Sequence, residues 1–123
     1  MIEILDDYPA AVLAISAQER VTGEDYRDIL TPAVESKFQQ FNKLRLLYHL
    51  GPGFKRFTTT ALWDDAKLGF HHLDGFERIA LVTDEEWLRK LARTANAALP
   101  AEVREFSNAE LHQASRWIKD GLV

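Results

Sequence analysis

Three short, almost unbroken apolar runs constrain this chain more than anything else in it: Val12 to Ala17, Leu44 to Leu50 and Arg78 to Val82. Each has the length of a strand, and each is too apolar to keep one face in water. Strands buried on both faces belong to largely parallel sheets covered by helices. The segments between the runs supply those helices. Thr22 offers an N-cap oxygen with Asp25 in the capping-box position, and Tyr26, Ile29, Leu30, Ala33, Val34, Phe38 and Phe41 follow at helical spacing. Pro32 falls inside that pattern and predicts a kink, because proline lacks a backbone donor.

A second helix is predicted from Thr60 to about Phe70 or Leu73, with a stripe of Leu62, Ala66, Gly69 and Leu73 widened by Trp63 and Phe70. A third starts at a Thr83–Glu86 capping box, buries Leu88, Leu91, Ala92, Ala95 and Leu99, and stops at Pro100. The last starts at a Ser107–Glu110 box and turns Leu111, Ala114, Ser115 and Ile118 to the core. Ile2 to Leu5 forms a short strand, reversed by Asp6-Asp7-Tyr8-Pro9 and therefore antiparallel to the next. Glu102 to Phe106 is more polar and suits a sheet edge. Gly51-Pro52-Gly53 predicts the end of the third strand, with Phe54 to Thr59 as a loop. The expected fold is one α/β domain over residues 1–123. It has a five-stranded, mixed but mostly parallel sheet, right-handed crossovers and four main helices largely on one face.

Composition narrows the chemistry. The 123 residues include no cysteine, which excludes disulfides, zinc–thiolate sites, iron–sulfur clusters and cysteine nucleophiles. A formal net charge of −4 argues against a general nucleic-acid binder. The start of the chain is acidic where a signal peptide is basic, and the longest nearly apolar stretch, Ala10 to Ala17, falls far below the roughly 20 residues of a membrane span. The expected location is the cytoplasm, with at most a peripheral membrane contact. No Gly-rich phosphate loop, G-x-S-x-G, C-x-x-C or H-E-x-x-H is present, so the expectation is a protein that is not an enzyme and needs no cofactor.

The order of several short motifs carries a resemblance. They are Val21-Thr22-Gly23-Glu24-Asp25-Tyr26 with Pro32 after it, Ala61-Leu62-Trp63-Asp64-Asp65, His72, and the run Phe76 to Asp84 followed by Glu86-Trp87-Leu88. Together they resemble the SpoIIAA-like family, relatives of the STAS domains of anti-sigma-factor antagonists and sulfate transporters. The resemblance implies a STAS-like sheet with strands in sequential order, and a likeness to Sec14/CRAL-TRIO lipid-binding domains. It implies no defined activity. Anti-sigma antagonists carry an Asp-Ser pair, phosphorylated on the serine, at the start of the helix after the third strand. Phe57-Thr58 stands at the comparable place here. Thr58 keeps a hydroxyl, but the acid has become an aromatic ring, so Thr58 is both a candidate phosphorylation site and a candidate helix cap.

In open parallel sheets ligands gather beyond the carboxyl ends of the strands. Three loops are expected there: Gln18 to Gly23, Gly51 to Thr60 and Thr83 to Glu86. The second holds Phe54-Lys55-Arg56-Phe57, two rings that either fold onto the core or line an apolar pocket, with two cations placed to hold an anionic head. Trp63, Lys67 and Phe70 extend the stripe of Leu62 on one side of the second helix. The candidate ligand-binding residues are therefore Phe54, Lys55, Arg56, Phe57, Leu62, Trp63, Lys67 and Phe70. The leading expectation is a regulatory or carrier module for a small apolar or lipid-like molecule; the alternative is a protein-interaction module without a small ligand. Expected partners are such a molecule, a membrane surface and a second copy of the chain, with nucleic acid excluded. Trp87 and Trp117 read as packing anchors or oligomer contacts; an enzyme using His49 as general base is the weakest reading, because no nucleophile motif accompanies it. His71 and His72 are adjacent and diverge on a helix, a poor pair of metal ligands. The purified protein should therefore carry no stoichiometric transition metal; one zinc or iron per chain in elemental analysis would overturn that.

Overall fold

The computed structural model describes residues 1–58 and 74–122. Five strands form one sheet in sequential order: β1 (Ile2–Leu5), β2 (Val12–Val21), β3 (Leu44–Phe57), β4 (Phe76–Thr83) and β5 (Glu102–Phe106). β1 pairs antiparallel with β2, and every other pairing is parallel. The three apolar runs lie in β2, β3 and β4, which have neighbours on both edges, and the polar β5 is an edge strand. The described residues contain three helical segments: α1 (residues 23–40), α2 (Glu86–Ala98) and α3 (Leu111–Lys119), the last preceded by a 3₁₀ turn at Asn108–Glu110. The helix expected between Thr60 and Leu73 lies outside the described residues.

Alternation along the strands divides the core in two. Leu13, Ile15, Ala17, Tyr48 and Leu50 face one side and pack against Tyr26, Leu30 and Val34 of α1 and Leu88 of α2. Val12, Ala14, Leu47, Ala80 and Val82 face the other and pack against Ala114 and Ile118 of α3. Two described helices thus cover one face and one covers the other.

The caps at Thr22 and Ser107 form as their sequences predict. The Thr22 hydroxyl accepts the Asp25 N–H at 3.2 Å, and Asp25 accepts the Thr22 N–H at 2.8 Å. Burial works to raise the Asp25 pKa, but the bonds from Thr22 and the amino-terminal ammonium outweigh it and hold the carboxyl below its ordinary value. The third expected box is absent. Thr83 is the buried last residue of β4, where its hydroxyl accepts the Glu85 N–H at 3.1 Å, and Glu85 starts α2 without a side-chain cap. The apolar run simply carries the strand one residue further than the cap reading allowed.

α1 meets Pro32 with a change of helix type. A π segment at Tyr26–Leu30, closed by the Thr31 N–H on the Tyr26 carbonyl, precedes the α-helix Thr31–Gln40. In an unbroken α-helix the proline ring would press on the Asp28 carbonyl and leave it without a donor. The wider turn directly upstream removes that conflict.

The largest correction is at Gly51-Pro52-Gly53. The strand does not end there; β3 continues to Phe57. Opposite Gln18 the pairing skips three residues of β3, from the Ala17–Leu50 pair to the Glu19–Phe54 pair, and Glu19 adopts a left-handed φ of 55°. A second irregularity follows, because Arg20 pairs with Arg56 and leaves Lys55 unmatched. Proline is tolerated within sheets at bulges, where no ladder donor is needed.

One buried cation ties the two ends of the fold together. Arg45, 7% exposed on β3, donates to the Ile118 carbonyl at 3.1 Å, to the Asp120 carbonyl at 2.6 Å and to Glu77 at 2.9 Å. It caps the negative end of α3 with a full charge. Arg45→Ala should lower stability by about 3 kcal/mol, since it strands buried carbonyls as well as the ion pair. Glu77 is half exposed, so Glu77→Gln should cost under about 1 kcal/mol. Urea unfolding of both variants checks the contrast; equal losses would contradict it.

Candidate functional site

The two helices on the first face stand apart. α1 leans on β2 and β3, whereas α2 is drawn towards β5. Arg89 and Arg93 of α2 grip Glu105 of β5 at 3.0 and 2.6 Å, and the Asn96 side chain accepts the Val103 N–H at 2.9 Å. Charge-assisted bonds of this kind fix a helix position more firmly than apolar contact alone. Between the helices lies a cavity of about 250 Å³.

Its described lining is almost wholly hydrocarbon. Leu46, Tyr48, Leu50 and Phe57 of β3 join Phe76, Ile79 and Leu81 of β4 in the floor. Leu30 and Val34 of α1 form one wall, and Leu88, Leu91, Ala92 and Ala95 of α2 form the other. Leu99, Ala101 and Val103 close the end near β5. The four α2 residues are ones that helical spacing assigned to a packed core. Leu91 instead remains 55% exposed, at the side of the cavity, and Trp87 one turn earlier is 49% exposed.

Aromatic rings border this space. Phe57 stands 5.0 Å from Phe54, 6.4 Å from Tyr48 and 6.4 Å from Trp87, measured between ring centres. The Tyr48 hydroxyl lies 3.1 Å from that of Tyr26, a buried pair joining β3 to the π segment of α1. Sequence reasoning missed this pair. Its members are 22 residues apart, and each reads singly as an ordinary core aromatic.

The candidate residues separate into groups. Phe54 is 8% exposed and packs into the core, as the core-folding option for that ring required. Phe57 lines the cavity. Lys55 and Arg56 are exposed and do not line it. Thr58 donates its N–H to the Val21 carbonyl at 2.8 Å, which fastens the end of β3 to β2. Leu62, Trp63, Lys67 and Phe70 lie outside the described residues, as do His71 and His72. Trp117 is remote, on the second face, with Arg78 and Arg104 at 5.2 and 4.7 Å from its ring centre. Among the described residues no helix is long and apolar enough to cross a membrane.

His49 sits on β3 between Ser16 and Val82, on the face away from the cavity. Burial lowers its pKa, and a side-chain contact with Asn108 opposes that only in part.

A family model described as SpoIIAA-like matches residues 12–119. Among solved structures, the chain is similar to an uncharacterised protein with a SpoIIAA-like fold from Shewanella loihica PV-4. The identity is 27%, the TM-score is 0.71, and the match covers 96% of this chain and 92% of that one. No curated protein matches the sequence.

The His49 environment predicts a pH dependence of definite sign. Its folded pKa lies below the ordinary 6.5, so between those values the unfolded chain binds more protons. Stability should be full above pH 6.5, fall as the pH drops towards the folded pKa, and lose nothing more to this group below it. Urea midpoints across that range should slope for the wild type and flatten in His49→Gln. A slope that survives the substitution would assign it to other groups.

Proposed function

The chain belongs to the SpoIIAA-like family, and on that premise we propose that it is a non-enzymatic carrier or regulatory module that holds a small apolar or amphipathic molecule between α1 and α2. One observation carries the reading: a cavity of about 250 Å³ with an apolar described lining. That volume exceeds the roughly 150 Å³ of a dry apolar cavity that admits benzene. It approaches the lower end of the roughly 300–1,000 Å³ typical of ligand pockets. A space of this kind is hydrated poorly and gives an apolar molecule many dispersion contacts. The half-exposed Trp87 and Leu91 beside it suit a place where such a molecule passes between cavity and surroundings.

A second reading is favoured by the same two side chains. An exposed tryptophan is the kind of residue that anchors a protein partner, and the exposed leucine one turn on extends its apolar surface. The inward packing of Phe54 also agrees with an interaction module of the anti-sigma-antagonist type, in which no ring is kept for a ligand.

Binding of a neutral fluorescent probe, N-phenyl-1-naphthylamine, separates the two. A carrier should bind it saturably at one site per chain, with a change in tryptophan emission because Trp87 adjoins Phe57. Ala95→Leu adds bulk inside the cavity and should weaken the probe by about tenfold while raising stability by about 0.5–2 kcal/mol, as cavity filling does. No saturable binding, together with a stable complex with another protein in native mass spectrometry, would replace the carrier reading by the second.

A further inference from the structure

We infer that Arg20 and Arg56 form a clamp for a phosphate monoester, on the face of the sheet opposite the cavity. The last residues of β2 and β3 pair as Arg20–Arg56 and then Val21–Phe57. Val21 is buried in the first-face core and Phe57 packs against that core, so alternation turns both arginines to the second face. Both are exposed. Neighbouring strands lie about 4.8 Å apart, so the two side chains start side by side and their guanidinium groups reach the same small ligand. The site lies across the sheet from the cavity and does not depend on it.

Several unfavourable features meet at this point. After the Glu19–Phe54 pair a regular ladder would set Arg20 opposite Lys55 and Val21 opposite Arg56. The irregularity at Lys55 sets arginine opposite arginine instead, and like charges side by side repel. Glu19, just before Arg20, holds a left-handed φ of 55°, which is costly for a residue with a Cβ. Bulges re-aim side chains beside binding sites, and an anion placed between the arginines turns their repulsion into attraction. Glu19 is the one carboxylate beside Arg20, Lys55 and Arg56 at these strand tips, on a chain whose formal net charge is −4. The ligand follows from charge and shape. A carboxylate has one negative charge and two oxygens, which a single guanidinium fork satisfies. A phosphate monoester carries close to two negative charges and three terminal oxygens, enough to accept from both guanidiniums at once. The same group occurs on soluble metabolites and on lipid headgroups.

The test presents that group to the full chain in two forms: glycerol 3-phosphate by calorimetric titration, and phosphatidylcholine vesicles containing phosphatidic acid by co-sedimentation. At least one should bind saturably, and the form that binds identifies the source. Acetate at equal ionic strength and vesicles of phosphatidylcholine alone should not bind. Arg20→Gln and Arg56→Gln should each weaken binding by about tenfold, the loss of a charge-assisted bond. Lys55→Gln removes the same charge from the unmatched position and should weaken binding by less than about twofold, as an exposed charge outside the clamp does. In the free protein neither arginine variant should lower the urea midpoint, because each relieves a repulsion. Failure of both phosphate forms to bind would overturn the inference. So would an equal loss in Lys55→Gln, the mark of diffuse attraction. A lowered urea midpoint in both arginine variants would overturn it as well, by showing that a carboxylate of the chain itself already holds the pair.

Discussion

The fold depends on a matter of parity. Each residue of β2, β3 and β4 must send its side chain to one face or the other, and both faces must be dry. On the second face the strands offer small residues, Ala14 and Ala80, with Val12, Val82 and Leu47 around them. α3 answers with another alanine, Ala114, and packs closely against that side. On the first face the strands offer Leu46, Tyr48, Ile79 and Leu81, which need more cover. Among the described residues two helices supply it, each fastened at its outer flank. The cavity lies between them. Its apolar character is inherited from the sheet, since residues that would otherwise be core form its floor.

This logic explains which parts of the fold were legible in the sequence. Two-sided burial is written into Val12 to Ala17 and Leu44 to Leu50 as runs with little polar relief, so their central place and parallel orientation followed from the sequence, while the sequential strand order was what the family resemblance implied. Capping boxes at Thr22 and Ser107 were legible because both partners lie three residues apart and need no tertiary help. The same pattern at Thr83 misled, because burial in the sheet claimed the threonine first. Gly51-Pro52-Gly53 misled for a related reason. Its residues are poor strand formers, yet pairing with β2 absorbs them as an irregularity instead of ending the strand.

The candidate site was legible only in fragments. Phe57 stood out because a second ring three residues away demanded an explanation. Leu91 was recognised as apolar and facing inward, but spacing along one helix does not reveal how far its neighbour stands off. The Tyr26–Tyr48 pair depends on the phase shift that the π segment introduces before Pro32, and no local pattern encodes that shift. Lys55 and Arg56 looked like a charge meant for a ligand. In the sheet they are the outward residues of a bulged strand.

That bulge has a consequence for the cavity wall. Phe54 and Phe57 both face inward although an odd step of three separates them, and strict alternation would have sent one ring into water. The unmatched Lys55 absorbs the odd step. Removing it would leave Phe54, Arg56 and Phe57 in plain alternation, with both rings still directed at the interior. The wall is therefore insulated from small changes in chain length at this point, in a way that a regular strand never is. It also makes Lys55 a natural mounting point: a dye or crosslinker fixed there would hang outside the fold only two residues before Phe57, the ring that lines the cavity.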